Sequence, residues 1–295
     1  MNNLTKVVVV STKDRIYGVN KSIELLGTNP VKYKNVILKP NFNTADPPPA
    51  SSSMETIKQL VIKLKEMGVK TITVAERSGP ANTADTFKKK GLYALSNELN
   101  FKIVDLTDVP KEDYVLKKTK DCHWKDGFLF AKIYDDAECI VETCCLKTHM
   151  YGGHFTLSLK NAVGLVAKQY MSELHSSKHQ RKMIAEINAV YKPDLIIMDG
   201  VISFVDRGPM EGTRKEANVF LAGTDKVAID AVGVAILRIL GTTPEVSKGS
   251  IFNQEQIKRA IELGVGISSP EEIEFITDSA EAERLVSKIK EKLAE

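Results

Sequence analysis

The stretch ECIVETCCLKTHMYGGHFTLSLKNAVG (Glu138–Gly164) joins two kinds of sequence. Its first part, ECIVETCC (Glu138–Cys145), is a strand-length run of mainly apolar residues without a regular polar face. That pattern fits a strand buried on both sides of a parallel sheet. Its second part, KTHMYGGHFTLSLKNAVG (Lys147–Gly164), crowds two lysines, two histidines, an Asn and a Gly-Gly pair into the residues that follow. Ligands of open α/β sheets bind just beyond the carboxyl ends of strands. Polar chemistry directly after a buried strand therefore predicts a site.

Similar runs recur along the chain. KVVVVS (Lys6–Ser11), NVILKP (Asn35–Pro40), TITVAE (Thr71–Glu76), FKIVDL (Phe101–Leu106), DLIIMDG (Asp194–Gly200), NVFLAG (Asn218–Gly223) and IEFIT (Ile273–Thr277) read as further strands, most of them parallel. Helical spacing alternates with them. Ile57, Leu60, Val61, Leu64 and Met67 share one face, with Gly68 as a stop and Ser51, Ser52 or Ser53 as a cap. Lys182–Val190, Lys226–Leu240, Gln254–Leu263 and Ala280–Leu293 read alike. The alternation predicts an α/β fold with a mainly parallel sheet, or sheets, flanked by helices. Two α/β lobes with a cleft, 1–145 and 146–295, fit the length, as does one compact domain. The segment Val109–Asp126, rich in Lys and Asp, reads as a β-hairpin or an excursion off the sheet.

Composition narrows the function. Of 295 residues, 41 are Lys or Arg and 38 are Asp or Glu. So balanced a charge argues against nucleic acid or an anionic membrane as partner. The opening MNNLTKVVVVSTKDR lacks the longer apolar core of a signal peptide, and no window approaches the roughly 18 apolar residues of a membrane span. A cytoplasmic location is the expectation. Cys122, Cys139, Cys144 and Cys145 form no Cys-x-x-Cys pair, so no iron–sulfur or zinc-ribbon motif is encoded, and reduced, buried thiols are expected.

The residues after each strand suggest an anion site. Lys39 and Asn41 follow the second strand, where an ammonium and an amide can hold an oxyanion. Glu76 ends the third, in a strand–turn–helix joint. A helix beginning near Thr156 would place Thr156, Lys160 and Gly164 on one face, with Asn161 beside them. Its free N–H groups, the glycines and the nearby Lys147 favour a bound carboxylate or phosphate. His149 suits proton transfer or anion donation. His175 and His179, at i and i+4, are candidates for a metal but lie in a polar run. Asp199 ends an apolar run and needs a cation, for which Lys39, Lys147 and Lys160 are the natural choices. Gly208, Pro209 and Gly212 mark a looped turn beside it. Asp225 caps a helix, and Asp230 lies in its first turns among apolar neighbours, either as a dipole partner or in the site.

Four blocks in order, LKPNFN, KTHMYGGHFTLSLKNAVG, IMDGVISFVDRGPMEG and AGTDKVAIDAVGVAILRILG, resemble the family named domain of unknown function 362 across Lys39–Gly241. The Lys-Thr-His to Leu-Lys-Asn-x-x-Gly block is the most specific of them. Many such proteins carry a ferredoxin-like Cys-rich segment, which this sequence lacks. The architecture is more loosely similar to that of nickel-dependent lactate racemases, in which Lys and His act in a cleft between two α/β lobes. Taken together, the expectation is an enzyme for a small anionic metabolite, racemase-, isomerase- or lyase-like. Lys39, Asn41, Lys147, Thr156, Asn161, Gly208 and Gly212 would bind the substrate, with His149, Lys160, Asp199 and Asp230 acting in catalysis. The cofactor is open and a divalent metal is admitted. The alternatives are a redox protein working with an iron–sulfur, ferredoxin-like partner and a non-catalytic anion-binding protein. A homodimer is compatible with each.

Overall fold

Thr5–Ser11 (β1) carries its four valines alternately to opposite faces, Val7 and Val9 into one apolar cluster and Val8 and Val10 into another. Period-two side chains in a strand covered on both sides make such a run entirely apolar. The computed structural model describes residues 4–119 and 121–295. Residues 1–3, which open the stretch read above for a leader, and residue 120, within the Val109–Asp126 segment, lie outside the described residues.

The remaining strands are β2 (Asn35–Lys39), β3 (Thr71–Glu76), β4 (Lys102–Asp105), β5 (Tyr114–Lys117), β6 (Phe128–Ala131), β7 (Cys139–His149), β8 (His154–Thr156), β9 (Leu195–Phe204), β10 (Arg214–Gly223) and β11 (Ile273–Thr277). One sheet runs β11-β1-β10-β9-β7-β2-β3-β4, with β8 paired to the end of β7. Strands β9, β7, β2, β3 and β4 are mutually parallel, as expected of an α/β fold. β10 departs from the parallel expectation and runs antiparallel to both β9 and β1. Its link from β9 spans only 205–213, and a parallel crossover needs about a dozen residues or more. β5 and β6 form the separate hairpin expected near Val109–Asp126, placed a few residues later.

Helices cover both faces. Asp14 and Gly27 bound Arg15–Leu26, Ser53 caps Met54–Glu66, Asn82 caps Thr83–Lys89, and Asp225 caps Lys226–Leu240. The Lys226–Leu240 helix is buried over most of its length against β7, β9 and β10.

The helix expected from Thr156 does not form there. Thr156 pairs back onto Lys147 as part of β8. The helix is a single turn, Ser158–Asn161, continuing as a 3-10 turn over Ala162–Leu165. Its first N–H groups are not free for an anion. Ser158 N donates to Asp230 Oδ1 at 2.8 Å, and Leu159 N reaches both carboxylate oxygens at 3.2–3.3 Å. A buried carboxylate from a neighbouring helix thus does the capping that the sequence reading reserved for a ligand.

Candidate functional site

The strand ends converge. β2 ends at Lys39, β3 at Glu76 and β7 at His149, and the Ser158–Leu165 turns fold back over them. Together they line a cavity of about 620 Å³ that also receives Arg77, Tyr151, His175 and Pro209.

On its floor Lys39 Nζ meets Glu76 Oε2 at 2.8 Å and Asn161 Oδ1 at 3.1 Å. Asn161 Oδ1 also accepts from Asn41 Nδ2 at 3.1 Å, and Asn161 Nδ2 donates to the Thr143 carbonyl at 3.3 Å. Asn41 Oδ1 in turn accepts from Lys147 Nζ at 3.1 Å. The pair and the two amides form one continuous buried network, which holds each side chain in a single geometry. Gly164 is required where the turn crosses this pair. A Cβ there would lie 2.4 Å from Glu76 Oε1 and 3.2 Å from Lys39 Nζ.

Three more buried cations face the cavity, and among the described residues none has a direct carboxylate partner. Lys147 Nζ is held by the neutral oxygens of Asn41, Ala50 and Pro209. Arg77 donates to the carbonyls of Val166, Ser78 and Val163 and to Met171 Sδ. Lys160 is 8% exposed, and among the described residues it makes no hydrogen bond or ion pair. Burial pushes Lys147 down to about 8, with the Lys39 and Lys90 charges adding to the effect. Burial, then the Lys147 and Arg77 charges, pushes Lys160 down to about 7. His149 falls well below its usual value, from burial first and then Lys160 and Lys147, so it is neutral at pH 7. Among the described residues its Nδ1 has no partner, and neither has Thr156 Oγ1. Such orphaned polar atoms are exceptional in a folded protein, and beside a cavity they point to a bound group or water.

Of the expected site residues, Lys39, Asn41, Lys147, His149, Thr156, Lys160 and Asn161 come together here. Gly208 and Gly212 stand behind the wall that Pro209 and Met210 form. A Cβ on Gly208 would lie 2.0 Å from the Thr148 carbonyl oxygen, so this glycine lets the loop pack on β7. Asp199 and Asp230 do not line the cavity. Asp199 finds its cation in Arg15, at 2.8 Å, and a donor in Thr56, at 2.7 Å, rather than in the lysines expected for it. Asp230 is the cap described above.

His175 and His179 do not act as a pair. His175 lines the cavity and bonds Gln180, whereas His179 packs on His123. Among the described residues, no group of three or more His, Cys, Asp or Glu side chains is placed to hold a metal ion. Arg77 and Tyr151 escaped the sequence reading. A second charge directly after a strand-end Glu was the available signal for Arg77. Tyr151 gave none beyond its place in the glycine loop.

A family model described as Domain of unknown function (DUF362) matches residues 36–235, which include every cavity residue named above. A Thylakoid-associated protein from a Synechocystis species is 28% identical over 147 residues. That match takes in 47% of this chain and 44% of the relative, so the chain spans less than half of that protein's length. Among solved structures, the lactate racemase apoprotein from Thermoanaerobacterium thermosaccharolyticum superposes with a TM-score of 0.50 at 14% identity, over 96% of this chain and 85% of that one. The likeness is one of α/β fold. Among the described residues, no helix is long and apolar enough to cross a membrane.

Proposed function

The chain belongs to the domain of unknown function 362 family, and we propose that its central cavity binds a small carboxylate or phosphate and moves a proton on the bound molecule. The observation that carries this reading is the convergence of Lys147 and Lys160, both buried and neither paired with a carboxylate. Removing an ammonium from water costs several kcal/mol unless an opposite charge compensates it. The Lys39 charge already has Glu76. A ligand anion would supply what Lys147 and Lys160 lack, and it would do so where Arg77 keeps the potential positive.

His149 is the proton carrier in this reading. It is neutral, its Nδ1 is unengaged, and it sits beside both lysines. A base of low proton affinity is effective when the nearby positive charge also acidifies the C–H it attacks. Proton removal beside a carboxylate opens one class of racemase, isomerase and lyase reactions.

The test is a thermal-shift screen of the protein with lactate, pyruvate, malate and inorganic phosphate, followed by proton NMR of the carboxylates in D2O. Stabilisation together with solvent deuterium entering a bound carboxylate is the expected result. Stabilisation without exchange would assign a binding protein instead. No stabilisation by any of these anions, and none lost on replacing Lys160, would end the anion reading.

A further inference from the structure

We propose that Lys160 is a nucleophilic amine that forms a Schiff base with the carbonyl carbon of a 2-oxo acid held in the central cavity, a step that rests on the anion-binding reading above.

Lys160 and Lys147 share a cavity but not a coordination. Lys147 has three oxygen acceptors and is fixed as a point charge. Among the described residues Lys160 has none. A Cβ on Gly153 would stand 2.8 Å from Lys160 Cε and 2.9 Å from His149 Nδ1, so the glycine loop lies against both side chains and keeps the amine close to the imidazole. A lysine placed to serve as a structural charge is surrounded by oxygens. A lysine placed to react is desolvated, unbonded and next to another cation. The shift of Lys160 to about 7 leaves a large share of it unprotonated at neutral pH.

The chemistry closes with the groups present. The substrate carboxylate lies against Lys147. The Lys160 nitrogen adds to C2, and the displaced carbonyl pair becomes a hydroxyl by taking the proton that the attacking nitrogen gives up. Loss of that hydroxyl as water, with one proton from solvent, leaves a protonated C=N bond. His149 Nδ1 then takes a proton from C3, and the C–H pair moves into a C2=C3 bond as the C=N pair returns to nitrogen. The iminium is the electron sink that proton removal beside a carboxylate otherwise lacks.

The experiment is sodium borohydride trapping of the full chain with pyruvate, read by peptide mass spectrometry. One reductively attached pyruvate on Lys160 is expected. It should be lost in Lys160→Arg and in Lys160→Met and suppressed by excess phosphate. Deuterium should enter pyruvate C3 in D2O with the unmodified chain and not with Lys160→Arg. Absence of an adduct on Lys160, or one spread over surface lysines and unchanged by phosphate, overturns the proposal. The mapping needs no variant, so a variant that fails to fold does not blunt it. If pyruvate raises the melting temperature but leaves no adduct, the Schiff base falls and anion binding stands. If it does neither, the Schiff base falls, and the anion reading falls with it when the other anions also fail.

Discussion

Lys160, at the cavity, and Lys226, beneath the turn that carries Lys160, are both buried amines with a pKa pushed down to about 7. Burial is the first cause in both, yet the surroundings differ. Lys226 Nζ donates to the Asn188 carbonyl at 3.1 Å, to Asn188 Oδ1 at 3.0 Å and to the Tyr191 carbonyl. Glu142, Asp230 and Asp225 bring negative charge near it. Asn188 passes the connection on, donating to the Leu159 carbonyl at 2.8 Å. The Lys226 region is thus a foundation under the turn that carries Lys160, and the Lys160 region is what that foundation presents to the cavity. Burial and displaced acidity do not tell a structural lysine from a reactive one. The set of oxygens around the nitrogen does.

The comparison is broken most directly at Lys226. Lys226→Met keeps the volume but strips the cation from the Asn188 and Tyr191 oxygens and from the nearby acids. Orphaned buried acceptors cost about 1–3 kcal/mol each, and three oxygens lose their donor, so a loss of about 3 kcal/mol or more in urea denaturation is expected. A neutral result would make Lys226 as dispensable to the fold as Lys160 and erase the distinction.

Asp230→Ala probes the same foundation with a smaller effect. The Ser158 and Leu159 N–H groups lose the Asp230 acceptor that they share. The cost of orphaned buried donors is about 1–3 kcal/mol. Burial raises the pKa of the Asp230 carboxyl well above the usual range, and removing that destabilised buried acid offsets part of the loss. Hydrogen exchange should localise the change to Ser158–Asn161. Global loosening without local change there would show that the cap is not its role.

These two regions also show how far the sequence could be read. The apolar runs disclosed the parallel half of the sheet, because buried strands must be apolar on both faces. That Lys39, Asn41, Lys147, His149, Lys160 and Asn161 would converge was legible, because each ends a strand, follows one or flanks the glycine loop. Asp199 and Asp230 looked alike in sequence, a carboxylate amid apolar residues, and both find their partners outside the cavity. Their partners, Arg15 and the Ser158 amide, lie 184 and 72 residues away. Only the folded arrangement says which buried charges are already satisfied. The same limit applies to Thr156, whose strand pairing to Lys147 is a contact across the glycine turn and leaves no helical or alternating signature of its own.

The pH dependence of stability separates the two lysines more finely. In the folded chain each gives up its proton near pH 7, and in the unfolded chain near the ordinary 10.5. Between those limits the unfolded chain holds more protons, so the free energy of unfolding rises with pH. The slope is up to about 1.4 kcal/mol per pH unit for each lysine, and it vanishes below pH 7. Lys160→Met should remove one lysine's share of the slope between pH 7 and 9 and leave the shares of Lys226 and of Lys147, which is pushed down to about 8. An unchanged slope would mean that Lys160 stays charged in the folded protein.

The smallest change in stability belongs to Lys160 itself. At pH 7 Lys160→Met removes an amine with no protein partner and leaves no donor or acceptor orphaned. Its stem is replaced by a thioether chain of similar length, which suits the packing against the Gly153 loop. Swapping an uncompensated buried charge for an apolar side chain is often neutral or stabilising. A change within about 1 kcal/mol is expected, of either sign, together with loss of most of the anion-induced rise in melting temperature. Little effect on the fold with a large effect on the ligand is the reverse of what Lys226→Met should show. Should Lys160→Met unfold the protein instead, the unbonded amine would be holding the cavity together through its stem, and its missing partners would carry no functional meaning.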